Sequence, residues 1–96
     1  MSEKIEVENV NTPGKITRVN AAKYADMHAA MKAALPKASP GLTQSEMVDA
    51  VKSHLSEDLF PGGKTSGWWS KTVQLDLEAK GKVTRETTKP LRWHWS

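Results

Sequence analysis

Gly63, Lys64 and Thr65 spell the end of a phosphate-binding loop, a motif whose chemistry is easily stated. A G-x-x-x-x-G-K-[ST] run follows a buried strand there, and successive backbone N–H groups curl around a phosphate at a helix N-terminus. In this chain the first glycine position is Asp58, whose carboxylate opposes phosphate, and the residues before it read as helix rather than strand. There is no room for the parallel sheet on which such loops sit. The expectation is a turn made by Gly62 and Gly63 ahead of a helix cap, without ATP or GTP binding.

The other reactive side chains are scattered. His28, His54 and His94 lie far apart, and none has a second histidine at the helical spacing that a zinc site wants. No serine sits in a G-x-S-x-G elbow. The expectation is that the protein is not an enzyme and holds neither a metal nor any other cofactor.

Charge is the remaining signal. The net charge is +3, but Met1 to Gly63 hold seven Lys/Arg against eight Asp/Glu, whereas Lys64 to Ser96 hold seven against three. A basic C-terminal third is a physical argument for an anionic partner, although a solvated face also produces it. There is no cysteine, which rules out disulfides and thiolate metal sites. No apolar run approaches the ~20 residues that span a bilayer, and "MSEKIEVENV" lacks a basic stretch followed by an apolar one. The expected compartment is the cytoplasm.

The 96 residues, 38% of them hydrophobic and 26% charged, fit one small domain whose core leans on a few large side chains. The four tryptophans are its first candidates, since each aromatic buries ~150–250 Å². Apolar and polar residues alternate around "NTPG", with Ile5, Val7, Val10, Ile16 and Val19 as the apolar set, and predict a β-hairpin over about 4–19. Tyr24, Met27, Met31 and Leu35 recur at helical spacing and predict a helix over about 21–35, capped by Asn20 and ended by Pro36.

Thr43 and Glu46 form a capping-box pattern, with Leu42 and Met47 as a hydrophobic staple, and open a second helix over about 44–55 with Met47, Val48, Val51 and Leu55 inward. A third helix is predicted over about 66–80, capped by Thr65 or Ser66 and stopped by Gly81. Its inward stripe is Trp69, Val73 and Leu77, widened by Leu75 and Trp68. A closing hairpin over about 82–95 puts Leu91, Trp93 and Trp95 on one face and Arg92 and His94 on the other.

In "LTQSEMVDAVKSHL" followed by "GWWSKTVQLDLEAKGKVTRE", Leu77 precedes a helix-ending Gly81 by four residues, and a strand with Val83 and Arg85 follows at once. This arrangement resembles the winged helix-turn-helix superfamily. The implied fold class is α+β: a winged-helix-like three-helix core with an N-terminal hairpin and a C-terminal hairpin wing, tipped by Thr87 to Arg92. "IEVENVNTPG" at the front and "LFPGG" before "GWW" also resemble a small family of bacterial proteins of unassigned function.

The superfamily resemblance implies double-stranded DNA as partner, with the third helix in the major groove and the wing on phosphate. Carried over by position, the contacts are Lys64, Thr65 and Ser66 at the helix start, Lys71, Thr72 and Gln74 on its exposed face, and Lys82, Arg85, Lys89 and Arg92 on the wing. Gln74 would read adenine and Lys71 guanine or phosphate. Asp76 and Glu78 share that helix, and at least one of them is expected to face solvent near Lys71 and Gln74. The alternative is a protein-interaction or homodimerisation module, with Trp68 and Trp95 as exposed anchors.

Overall fold

A computed structural model describes residues 3–96. Strands β1 (Lys4–Glu8) and β2 (Ile16–Asn20) pair antiparallel, Ile5 opposite Val19 and Val7 opposite Thr17. Side chains alternate faces with period two, so Val7 and Val19 point inward and are buried. Ile16, three residues before Val19, has the opposite parity and is 53% exposed. The apolar set of the hairpin is thus split between two faces, and Val10 lies beyond the strand in the loop.

Helix α1 (Ala21–Ala34) follows directly, with the Asn20 side chain accepting from the Lys23 amide as an N-cap should. Tyr24, Met27, Met31 and Leu35 are all buried, as their spacing requires. A two-residue strand, β3 (Leu42–Thr43), leads into α2 (Gln44–Lys52), whose Thr43–Glu46 capping box is complete. Helix α2 stops three residues before Leu55. The Asp26 carboxylate of α1 accepts the Ser56 amide at 2.8 Å, drawing the chain across to α1, and Leu55 still packs on the core.

The connector contributes a core residue that the helical stripes do not contain. Phe60 is fully buried, edge-on to Trp69 at 6.2 Å. A 3-10 turn at Pro61–Gly63, with Gly62 and Gly63 at positive φ, then swings the chain into α3 (Ser66–Ala79). Gly81, at φ 73°, ends α3 in a Schellman arrangement: its amide bonds the Glu78 carbonyl, and the Lys82 amide bonds that of Leu77.

Strands β4 (Val83–Glu86) and β5 (Arg92–Trp95) form the closing hairpin, and β5 also pairs with β3, giving the sheet order β3-β5-β4. The protein is therefore mixed α+β, with three helices and two small antiparallel sheets among the described residues. Trp69, Val73 and Leu77 meet Met27, Met31, Met47 and Val51 in a shared core. Each such side chain contributes roughly 1.5–3 kcal/mol on burial.

Candidate nucleic-acid interface

Helix α3 is enclosed along its second half. From Val73 to Leu77 five consecutive residues are buried, because α1 and α2 pack on one side, β1 on another and β4 on a third. A buried polar side chain needs a partner, and this enclosure fixes where the polar residues of α3 go. Asp76, wholly buried, accepts from the Tyr24 hydroxyl, from the Glu8 amide at 2.8 Å and from the Lys80 ammonium at 2.9 Å. Burial, reinforced by the Asp76 carboxylate, pushes the Tyr24 hydroxyl above the usual tyrosine range, so it remains a donor.

Glu78 is also turned inward. It accepts from the Trp93 indole N–H and from Gln74, and it pairs with Arg85 at 3.1 Å; the guanidinium also lies over the Trp93 ring. Neither acid of α3 reaches the surface near Lys71, contrary to the helical-wheel expectation, because the hairpin and the sheet cover that half of the helix.

The proposed contact residues are sorted by the same packing. Gln74, expected on the exposed face, is 1% exposed and spends its amide on Glu78, so it reaches no base. Ser66 is 3% exposed and likewise withdrawn. Thr65 is exposed at the N-cap position, but at φ 62° its hydroxyl bonds the Lys64 carbonyl at 2.6 Å instead of capping the helix. Arg85 is held by Glu78, and Arg92 by Glu46 at 3.2 Å and the Gly41 carbonyl at 3.0 Å. Lys64, Lys71, Lys82 and Lys89 are exposed and make no ion pair among the described residues. Thr72 is half-buried beside Lys71. Lys82 faces a separate cleft bordered by α1 and the end of β5.

The two interface candidates also part. Trp68 is 58% exposed, edge-on to Trp69, and does not widen the core stripe. It borders a groove of about 360 Å³ between α3 and the first hairpin, floored by Val7, Val19 and Leu75. Trp95 is not an exposed anchor. Its indole N–H donates to the Met31 carbonyl at 3.2 Å and its amide to that of Pro36 at 2.9 Å, which fastens β5 to the end of α1.

The glycine turn has no open amide cradle. The Gly62 amide donates to the Glu57 carboxylate at 2.9 Å, and those of Gly63 and Lys64 to the carbonyls of Phe60 and Pro61. Among the described residues no group of three His, Asp or Glu could hold a metal ion, and no helix is long and apolar enough to cross a membrane.

In the closing hairpin, His94 of β5 places Nδ1 2.8 Å from the Trp95 carbonyl and Nε2 2.9 Å from the Glu86 carboxylate. Both partners accept, so only the doubly protonated ring satisfies both. Those hydrogen bonds raise the His94 pKa, and the His94 bond, with that of Ser39, lowers the Glu86 pKa.

A mixed α+β chain with an enclosed third helix and exposed lysines at its start defines a small domain class rather than an activity. Residues 4–93 match DUF6958, a family of unknown function, and the chain belongs to that family. This agrees with the resemblance of its front and connector to a small family without an assigned function. No curated protein and no solved structure matches the chain.

Proposed function

We propose that the chain is a non-enzymatic, cytoplasmic nucleic-acid-binding module of winged-helix type, which grips double-stranded DNA through the first half of α3 and the β4–β5 turn. The observation that carries this reading is the sorting of charge on α3. Asp76 and Glu78 are spent inside the fold, so the exposed start of the helix presents Lys64 and Lys71 with no acid of its own. The order α1, β3, α2, α3, β4, β5, with β3 paired to β5, supports the winged-helix assignment. With Gln74 and Ser66 withdrawn, recognition rests on phosphate contacts from Lys64, Lys71 and Lys89, aided by Thr65 and Thr72. Binding is then electrostatic, tolerant of sequence and steeply salt-dependent.

The test is a random duplex titrated at low salt and followed by amide NMR. Lys64 to Thr72 and Lys89 should shift, and Lys64→Ala with Lys71→Ala should reduce the salt slope by roughly one unit per lost phosphate contact. Absence of any shift at low salt overturns the reading. A protein-interaction role is favoured by one separate observation, the exposed Trp68 beside its apolar groove. It predicts a concentration-dependent dimer that Trp68→Ala makes monomeric in sedimentation.

A further inference from the structure

His28 and Lys32 lie one turn apart on α1, and with Lys37, Lys82 and Trp95 they line a cleft of about 390 Å³, within the ~300–1,000 Å³ range of small-molecule sites. The cleft lies where α3 ends. Lys64 stands before the first turn of that 14-residue helix, roughly 20 Å away at 1.5 Å per residue. The two basic surfaces are therefore separate.

Three lysines and no acidic side chain line the cleft, which Ser96 also borders. Lys32, Lys37 and Lys82 make no ion pair among the described residues. The nearby acid, Asp76, is committed to Tyr24, Lys80 and the Glu8 amide. His28 registers the imbalance: burial first, then Lys82 and Lys32, hold its pKa below the ordinary histidine value, against a smaller opposing effect of Asp76. Like charges that face one cleft repel each other, and a bound dianion would relieve that repulsion.

One wall is aromatic and fixed. The Trp95 indole N–H is already bonded to Met31, and its ring lies tilted against His28 at 5.9 Å. What the indole can still offer a ligand is its hydrocarbon surface, which suits a planar ring. A bare anion would use the lysines and leave this wall idle.

We propose that this cleft binds a nucleoside phosphate, free or at the end of a strand, with the phosphate among Lys32, Lys37 and Lys82 and the base against Trp95. The site stands independently of the DNA-facing residues of α3. It is tested by calorimetric and NMR titration of the full chain in low-salt, phosphate-free buffer with AMP, adenosine, inorganic phosphate and a 5′-phosphorylated dinucleotide. AMP should shift the His28 ring and Trp95 indole signals, with adenosine and phosphate each weaker by roughly tenfold or more.

Lys32→Ala with Lys82→Ala should weaken AMP by roughly tenfold, the corresponding double arginine variant should retain binding, and Lys71→Ala should leave it unchanged. A dinucleotide that outbinds AMP assigns the ligand to a strand end, and the reverse order assigns it to a free nucleotide. The proposal is overturned if AMP leaves His28 and Trp95 unshifted, if adenosine binds as well as AMP, or if Lys71→Ala weakens AMP as much as the double alanine variant does. Retention of the amide spectrum in each variant separates loss of binding from loss of fold.

Discussion

The hydroxyl of Tyr24 donates to the buried carboxylate of Asp76, joining α1 to α3 at a point where the carboxylate also takes the Glu8 amide of β1. One side chain thus ties two helices and the first hairpin together, and the charge that would have repelled an anion on α3 becomes a structural joint.

Removing that joint should be costly. Asp76→Ala leaves the Tyr24 hydroxyl, the Glu8 amide and the Lys80 ammonium without their acceptor, and a loss of about 3–5 kcal/mol is expected in urea denaturation. Tyr24→Phe deletes one donor to a charged acceptor and should cost only about 1.5–3 kcal/mol.

Two glycines should differ sharply when replaced by alanine. Gly81 is at φ 73° with open space around a new Cβ, so Gly81→Ala should cost about 1 kcal/mol from backbone strain alone. At Gly41, φ 89°, a Cβ would stand 2.0 Å from the Trp93 carbonyl oxygen, and neither strand backbone can move without breaking the β3–β5 pairing. Thermal melts should place Gly41→Ala well below Gly81→Ala.

Aromatic truncations should separate core from surface. Phe60→Ala, in the middle of the packing, should lose about 3–5 kcal/mol. Trp68→Ala should lose about 0.5–1.5 kcal/mol, the worth of its edge contact with Trp69.

His94 and His28 should titrate on opposite sides of the ordinary histidine value of about 6.5, His94 above it and His28 below, in an NMR pH titration. Because the folded His94 pKa is raised, its stabilising effect is complete below the unfolded value and fades as pH rises through the folded one. The depressed Glu86 pKa sets the other limit: its contribution is present above the unfolded carboxylate value and is lost as pH falls through the folded one. The His94–Glu86 pair of the closing hairpin therefore stabilises the fold between those limits. Glu86→Gln should bring the His94 midpoint back down. His28 acts oppositely, contributing fully above its unfolded value and less as pH falls toward its depressed pKa.

Local pattern was enough for the helices and both hairpins. Asn20 caps α1, the Thr43–Glu46 box opens α2, and Gly81 closes α3, because each motif satisfies backbone groups only a few residues away. The buried stripes Tyr24–Met27–Met31 and Trp69–Val73–Leu77 followed from helical spacing for the same reason.

Only the tertiary structure decided which polar residues remain available to a partner. Gln74 and at least one of Asp76 and Glu78 are expected at the solvent from the sequence, but the hairpin and the sheet close over all three. The convergence of His28, Lys32, Lys37, Lys82 and Trp95 was likewise invisible, since these residues come from separate parts of the chain. The sequence by itself determined the elements, through hydrogen bonds and spacings that span a few residues. Which side chains face water depends on contacts between residues up to 68 positions apart, and that information exists only once the chain has folded.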